Sequence, residues 1–169
     1  RNILGKRGLQ VSGDPVYGSI FRADIHAGTV PYLPETPLVE SWDFGHRHPA
    51  VSWTQFPFWG AMNVVGEMMG TRTYLEEFIP QVLHQRRTWY GSDPDLWTCC
   101  DPAGADQNSS GRRGTSIETL NEAGIYPDFV SGSNHPRMRV RAIQRIATYL
   151  GRLTSRGPAF QIDKARCLT

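Results

Sequence analysis

The chain has 169 residues and a mass of 19.0 kDa, which suits one folded domain with an arm and leaves little room for two independent cores. Its content of 39% hydrophobic and 11% aromatic residues is enough to fill a core, so a disordered protein is excluded. The net charge of +2 does not by itself indicate a nucleic-acid partner, and the sequence shows neither a signal peptide nor an apolar run near the ~20 residues of a membrane span.

The first half of the chain predicts an arm, three strands and a helix. Residues 1–37 are rich in Gly and Pro and are expected to form a lead-in, with one candidate strand at residues 16–22. Three β-type runs follow, with connections short enough for antiparallel hairpins, at residues 38–44, 50–56 and 61–69. A helix is then predicted to end near Tyr90, and Pro80 is expected to kink it or to mark its start.

The second half alternates strands and helices. The pattern predicts strands at residues 96–100, 129–130 and 159–162, and helices at residues 117–123 and 136–150. Hairpins followed by crossover helices predict an α/β fold with a mixed sheet, in which three antiparallel strands come first and parallel strands are added later. Helices are expected to flank this sheet.

Two predicted strands end in an acidic residue that loop residues follow at once. These residues are Asp43 and Asp101. If their strands are parallel neighbours, the backbones lie about 4.8 Å apart and both carboxylates leave the same edge of the sheet. Adjacent carboxylates repel each other, and a shared proton or a divalent cation resolves the repulsion. Oxygen ligands favour Mg²⁺ or Mn²⁺, as in a two-metal phosphodiester hydrolase. For either residue alone, an ordinary turn aspartate is the alternative.

Other candidates lie close to these two acids in the sequence. Glu67 falls in the third β run and is a candidate metal ligand, with an exposed edge carboxylate as the alternative. His46, Arg47 and His48 follow Asp43 directly, where a cationic side chain would hold a phosphate. An ordinary polar turn explains these three residues nearly as well.

Basic residues gather in two places despite the small net charge. Arg112 and Arg113 lie in a polar loop and are candidate contacts to a DNA backbone, with a solvated loop as the alternative. A second group lies in and just after the predicted helix 136–150, which contains no acid. Its members are Arg137, Arg139, Arg141, Arg145, Arg152 and Arg156.

Three of these arginines share one helical face. Arg137, Arg141 and Arg145 are four residues apart, so they form a stripe that repels itself unless a polyanion faces it. The stripe is therefore a candidate DNA-binding surface. A solvated outer face is the alternative.

Six stretches of the sequence resemble a known family. They are Gly13-Asp14-Pro15-Val16-Tyr17-Gly18, Trp42-Asp43-Phe44-Gly45 with Pro49-Ala50-Val51, Gly66-Glu67-Met68-Met69-Gly70, Cys100-Asp101-Pro102-Ala103-Gly104, Leu120-Asn121-Glu122-Ala123-Gly124-Ile125 and Ile162-Asp163-Lys164-Ala165-Arg166-Cys167. In this order and spacing they resemble the C-terminal nuclease domain of the large terminase subunit of tailed bacteriophages, the motor protein that packages and cuts viral DNA. The resemblance runs from about residue 13 to the last residue. It implies a ribonuclease-H-like fold and a metal-dependent endonuclease that cleaves concatemeric double-stranded DNA.

The resemblance also implies which residues act. Asp43 and Asp101 match the family's catalytic, metal-binding acids, which use two Mg²⁺ or Mn²⁺ ions. The family's third acid lies beyond the stretch that ends this chain. We therefore expect residues 38–169 to be a nuclease domain truncated at its C-terminal end, and the fragment to be inactive for lack of that acid. Asp163 is the remaining late candidate ligand, although its motif matches the strand that precedes the third catalytic position.

Partners and location follow from the same resemblance. Residues 1–37 would continue from an ATPase domain that precedes them, since the sequence contains no G-x-x-x-x-G-K-[ST] motif. The implied partners are double-stranded DNA, the small terminase subunit and the portal, with no membrane. The implied location is the cytoplasm of the bacterial host, and transiently the procapsid portal. Two alternatives stay open: another ribonuclease-H-like nuclease, of junction-resolvase or transposase type, and a non-catalytic DNA-binding module on the same fold.

Overall fold

A six-stranded sheet organises the part of the chain that the computed structural model describes, namely residues 16–105, 114–129 and 135–167. The strands in chain order are β1 (Ala27–Gly28), β2 (Leu38–Asp43), β3 (Ala50–Gln55), β4 (Met62–Met69), β5 (Leu96–Cys100), β6 (Leu153–Thr154), β7 (Gly157–Pro158) and β8 (Phe160–Asp163). The helices are α1 (Ala23–His26), α2 (Leu75–Tyr90), α3 (Ser116–Glu122) and α4 (Pro136–Leu150), with a 3-10 turn at Pro102–Ala105. β6 and β7 form a separate hairpin.

The sheet mixes antiparallel and parallel pairs. Its order is β1-β8-β4-β3-β2-β5. β2, β3 and β4 pair antiparallel, whereas β5 is parallel to β2, β8 is parallel to β4, and β1 is parallel to β8. The predicted mixed sheet is confirmed, and its parallel strands are added at both edges. Because β2 and β5 are parallel neighbours, their carboxyl-terminal ends lie side by side at the same end of the sheet.

One face of the sheet is buried against α2. Side chains alternate along a strand, so the apolar residues Trp42, Val51 and Trp53 point to the same side. α2 covers them with Phe78 and Val82, and the rings of Trp42 and Phe78 meet edge to face with centroids 6.1 Å apart. Burial of each such side chain stabilises the fold by about 1.5–3 kcal/mol. This core fixes β2, and with it the position of the strand's last residue.

The core also contains a charged residue. Glu40 is 0% exposed and lies between the indoles of Trp42 and Trp53, whose N–H groups donate to its two oxygens at 3.0 and 2.8 Å. Arg86 of α2 donates to both oxygens at 3.1 and 3.0 Å. A buried carboxylate is tolerated when it is paired and hydrogen-bonded in this way. The cluster ties α2 to β2 and β3.

The described part of the predicted lead-in packs against the sheet. Residues 16–20 form turns and α1 follows, so the strand predicted at 16–22 is wrong. The N–H groups of Ile20 and Phe21 donate to the carbonyl of Tyr17 and close the turn. Nδ1 of His26 accepts the N–H of Arg22, and the other ring nitrogen lies 3.1 Å from the carbonyl of Leu150. β1 then joins the sheet and Val30 is buried. Residues 27–30 are therefore part of the folded unit that was expected to begin at residue 38.

The remaining elements follow the predictions closely. α2 continues through Pro80, which neither starts nor ends it. Thr115 caps α3, its Oγ1 accepting the N–H of Glu118 at 3.1 Å. In place of the strand at 129–130, Asp128 forms one parallel bridge with Cys99, and residue 130 lies outside the described residues. No helix in the described ranges has the length and apolar character needed to cross a membrane.

Candidate functional site

The two strand-end acids are neighbours, as the sequence predicts. Trp42 pairs with Cys100 in the parallel β2–β5 ladder, so the next residues along, Asp43 and Asp101, lie side by side. The N–H of Asp101 donates to the carbonyl of Trp42 at 3.3 Å, which fixes this register at the sheet edge. Backbones of paired strands lie about 4.8 Å apart. Both carboxylates therefore leave the sheet at one edge.

The two carboxylates have different surroundings. One oxygen of Asp101 accepts the N–H of Ala103 at 2.8 Å, which orients that side chain in the turn after β5. Gly104 completes the turn, and a Cβ at this position would collide with the ring of Phe44. Asp43 is exposed and has no hydrogen bond or ion pair with any side chain among the described residues. Its oxygens are free to bind an external cation.

An open groove of about 410 Å³ crosses β2, β3 and β4 beside Asp43. Ser41 pairs with Ser52 and Ser52 with Glu67, so these three polar side chains form a row across the groove. Hydroxyl groups both donate and accept hydrogen bonds, and a phosphodiester presents acceptor oxygens. Neither serine is among the residues predicted above. The alternation of side chains two residues before Asp43 would have identified Ser41.

Glu67 lies in the same groove as Asp43, two strands away. Its side chain is half-buried, and burial raises the pKa of its carboxyl group. Desolvation makes the charged form costly, so a cation in the groove would be favourable to it. The structure thus places Glu67 on the same side of the sheet as Asp43, while its role as a metal ligand stays a prediction.

The loop after Asp43 is held by its own contacts. The guanidinium of Arg47 lies over the ring of Tyr74, 4.7 Å from its centroid, and donates to the hydroxyl of that residue. A ring nitrogen of His48 lies 3.3 Å from the carbonyl of Gly70. His46 lines a small pocket next to the loop and is exposed. These contacts hold Arg47 against the start of α2 and His48 beside the residue that follows β4, and phosphate binding by His46, Arg47 and His48 stays a prediction.

Asp163 is placed apart from the other acids. Its side chain is buried, and its oxygens accept the N–H groups of Val30 at 2.9 Å and of Ala165 and Arg166 at 3.0 Å. Three backbone donors satisfy this carboxylate and join the end of β8 to the segment after β1. The geometry therefore gives Asp163 a structural role and does not support it as a metal ligand.

Two of the cysteines have a raised pKa. Burial, with smaller contributions from Cys99 and Asp101, raises the pKa of Cys100 to about 11. Burial, followed by the charge of Glu67, raises the pKa of Cys167 to about 12. A thiol must lose its proton to act as a nucleophile or a metal ligand. Cys100 and Cys167 are therefore packing residues at neutral pH.

The predicted DNA-binding arginines divide into two groups. Arg112 and Arg113 lie outside the described residues. The stripe of Arg137, Arg141 and Arg145 lies on α4, where all three residues are exposed. α4 packs against β8, at the opposite side of the sheet from β5. The stripe is accessible to a polyanion, and DNA binding by it stays a prediction.

The donors present near Asp43 fit a divalent cation in part. Across residues 16–105, 114–129 and 135–167, no group of three or more His, Cys, Asp or Glu side chains is arranged to hold a metal ion. Asp43 and Asp101 form a pair, and Mg²⁺ is commonly held by one or two carboxylates together with water and substrate phosphates. The pair therefore suits an ion shared with a phosphate, and it does not amount to a complete protein cage.

The strand order and the paired acids define a ribonuclease-H-like α/β domain, which confirms the predicted fold class. Two solved structures are similar to it. The large terminase from a thermophilic bacteriophage has a TM-score of 0.63 and 14% identity over 89% of this chain, and the P22 large terminase nuclease domain has a TM-score of 0.61 and 11% identity over 86%. The resemblance inferred from the motifs is thus confirmed at the level of the fold.

The comparisons leave a large part of one neighbour uncovered. This chain spans 34% of the thermophilic-phage protein and 71% of the P22 domain. No protein-family model matches the sequence, and no curated protein matches it. At 11–14% identity, the likeness to the two terminase structures establishes the fold.

Proposed function

We propose that this chain is a metal-dependent endonuclease domain of the large-terminase type, which cuts double-stranded DNA. The observation that carries the proposal is the pair formed by Asp43 and Asp101 at the ends of neighbouring parallel strands. The similarity of the sheet to the thermophilic-phage large terminase and the P22 large terminase nuclease domain supports it.

Each residue near the pair has a distinct task in this proposal. Asp43 and Asp101 would hold Mg²⁺ or Mn²⁺, two ions if a phosphate completes the site, and Glu67 would supply a further carboxylate. Such ions activate water for attack on phosphorus and stabilise the charge on the leaving oxygen. Ser41 and Ser52 line the groove in which the DNA backbone would lie.

The cationic side chains would position the DNA backbone. His46, Arg47 and His48 lie in the loop that directly follows Asp43. Guanidinium groups bind phosphate oxygens without reading base sequence, so cleavage would be tolerant of sequence. The exposed arginines of α4 would add to non-specific affinity, and the resulting binding would weaken as salt is raised.

The wider biological role belongs to the same proposal. As part of a large terminase, the domain would act beside an N-terminal ATPase domain, cut concatemeric viral DNA during packaging, and work with a small terminase subunit and a portal. Its place would be the cytoplasm of the bacterial host, and transiently the procapsid portal.

Nicking of supercoiled plasmid by the full-length protein in Mn²⁺ tests the catalytic assignment. Asp43→Ala and Asp101→Ala should each lower the nicking rate by about 100-fold or more, because loss of a ligand removes several kcal/mol of transition-state stabilisation. Asp93→Ala is the matched control, since Asp93 is exposed and lies before the start of β5, at the opposite end of that strand from Asp101. Nicking that survives Asp43→Ala unchanged would overturn the assignment.

A non-catalytic DNA-binding module is the second candidate. The observation in its favour is that the described residues bring two carboxylates together at the strand ends and no third. Such a module would bind duplex DNA equally well with Mn²⁺ or with a chelator, and it would not nick plasmid in the full-length protein. The assay described above separates the two functions. A resolvase-type nuclease would instead show a preference for branched DNA.

A further inference from the structure

A second exposed cluster lies at the end of the sheet opposite the acids. β3 begins at Ala50, which pairs with Asp43, and runs six residues to the turn at 56–60. At about 3.3 Å per residue, this turn lies nearly 20 Å from the acids. The cluster combines the turn with the end of α4 and the β6–β7 hairpin. We call it the arginine–aromatic cluster, and its members are Phe56, Phe58, Trp59, Tyr149, Arg152 and Arg156.

Arginine–ring contacts organise the cluster. The guanidinium of Arg156 lies 4.3 Å from the ring centroid of Trp59 and 5.3 Å from that of Phe58. Arg152 lies over the ring of Tyr149 at 4.9 Å and donates to the carbonyl of Gly60, which joins the end of α4 to the turn. A guanidinium stacked on a ring keeps the N–H donors on its edge available, and those donors match phosphate oxygens.

Two rings of the cluster are offered to solvent. Phe58 is 88% exposed and Phe56 is 48% exposed. Burying a phenylalanine stabilises a fold by about 1.5–3 kcal/mol. Because Phe58 is exposed, its ring contributes almost none of this stabilisation. The rings of Phe58 and Trp59 meet edge to face at 5.1 Å, so together they form a surface rather than one isolated residue. Contiguous exposed apolar surface of this kind marks an interaction site.

The segments that build the cluster carry charge of one sign. Residues 135–162 contain six arginines and no acidic residue, and the turn at 56–60 contains no acidic residue. Both Arg152 and Arg156 are exposed. The partner that complements this charge is a polyanion.

We propose that the arginine–aromatic cluster binds unpaired DNA, with bases stacked on Phe58 and Phe56 and phosphates held by Arg156 and Arg152. Single-stranded nucleic acid supplies both features that complement the cluster, namely flat base faces that stack on its rings and a regular row of negative charges that pairs with its arginines. Surfaces for single strands combine aromatic platforms with cationic side chains in this way, because every base has a face that stacks. A base pair within a duplex has no face free for stacking, so duplex DNA uses only the arginines. An acidic protein surface would match the charge but offers no comparable stack.

This site is separate from the proposed nuclease site. It lies at the other end of β3, and it uses neither Asp43 nor a metal ion. Binding by the cluster is therefore measured in a chelating buffer, where no cleavage occurs. Loss of cleavage in Asp43→Ala would leave this binding unchanged, so failure of one proposal does not imply failure of the other.

Fluorescence anisotropy with a labelled oligo(dT) of 15 nucleotides, titrated with the full chain in EDTA, tests the proposal. Phe58→Ala should weaken binding about tenfold, within the range found for loss of one stacking ring. Arg156→Lys keeps the charge but loses the planar stack, and it should also weaken binding. Phe58→Trp should retain affinity, since a larger ring still stacks. Phe58 is exposed, so none of its substitutions removes core packing.

Tyr126→Ala is the matched control. Tyr126 is a ring 75% exposed on the segment after α3, outside the cluster, and its loss should leave the affinity unchanged. The proposal is overturned if Phe58→Ala and Arg156→Lys bind oligo(dT) as the parent does, or if Tyr126→Ala weakens binding equally. It is also overturned if a 15-base-pair duplex binds more tightly than oligo(dT) and Phe58→Ala weakens that duplex binding, which would place the duplex on the cluster. If the cluster binds an acidic protein and not DNA, Phe58→Ala and Arg156→Lys will bind oligo(dT) as the parent does.

Discussion

Replacement of Arg86 by methionine tests the buried charge that anchors β2. Glu40 is 0% exposed, and Arg86 is its cationic partner, at 3.0 Å. Methionine fills a similar volume but leaves the Glu40 carboxylate without a countercharge. Two indole N–H donors from Trp42 and Trp53 remain, and they do not neutralise it. Removal of one partner from a buried pair costs about 3–5 kcal/mol, so we expect Arg86→Met to lower the free energy of unfolding by about that amount.

This loss is a large part of the total free energy of unfolding. A domain of this size is stable by about 5–15 kcal/mol, so the variant would retain a fraction of its stability at 25 °C. The guanidinium of Arg86 is partly exposed, and solvent screening there places the expected value at the lower end, near 3 kcal/mol. Urea unfolding at pH 7, followed by tryptophan fluorescence, is the natural assay, because the two indoles that bind Glu40 report on the same cluster.

The neighbouring residue supplies the control. Arg87 carries the same charge on the same helix but is exposed, so Arg87→Met should change the unfolding free energy by less than about 0.5 kcal/mol. The double variant Glu40→Gln with Arg86→Met should recover part of the loss, because no uncompensated charge then remains. If Arg86→Met unfolds within about 0.5 kcal/mol of the parent, the stabilising role assigned to this pair is wrong.

Two further predictions concern the remaining acids. Burial raises the pKa of Glu67, so the pKa of this carboxyl group is higher in the folded than in the unfolded protein. The stability linked to its protonation is therefore present at low pH and is lost as the pH rises through the folded-state pKa. Without divalent ions, Glu67→Gln should therefore melt above the parent at pH 7, with a gap that narrows toward pH 4.5; a gap independent of pH would contradict the stated cause. Asp163→Asn should lower the unfolding free energy by about 2 kcal/mol, because an amide NH₂ replaces one acceptor of three backbone N–H groups. Calorimetric titration with Mn²⁺ should show unchanged affinity in Asp163→Asn, and a loss there would assign Asp163 to the metal site.

Local sequence pattern was sufficient for several elements. The predicted helix at 136–150 coincides with α4, and the strand predicted at 96–100 coincides with β5. The signals for these elements are a proline at the start of α4 and a short run of apolar residues, with Trp97 and Thr98, in β5. β1, β6 and β7 were missed because each has two residues, and a strand so short forms only where a neighbour supplies its hydrogen bonds.

The candidate site was predictable where it depends on one strand and not where it depends on several. Asp43 and Asp101 follow from strand ends, and the β2–β5 pairing, which the sequence leaves as a condition, places them side by side. Ser52 enters the groove only through its pairing with Ser41 and Glu67, so the register across three strands decides it. In the sequence Asp163 is a candidate ligand as the remaining late acid, whereas the fold turns its carboxylate toward three backbone donors.

By itself, the sequence determined the class of fold and the two acids on which the proposed chemistry depends. Hydrophobic alternation, capping residues and strand-end acids are local signals, and they act within a few residues of the chain. Only the tertiary structure decided that Glu40 is a buried, paired charge and that Phe58, Trp59 and Arg156 form one surface, since about 100 residues separate the turn from the hairpin. The contacts of the arginine–aromatic cluster depend on the sheet order β1-β8-β4-β3-β2-β5. This order pairs the start of β8 with the start of β4, so the hairpin that precedes β8 lies beside the turn that precedes β4.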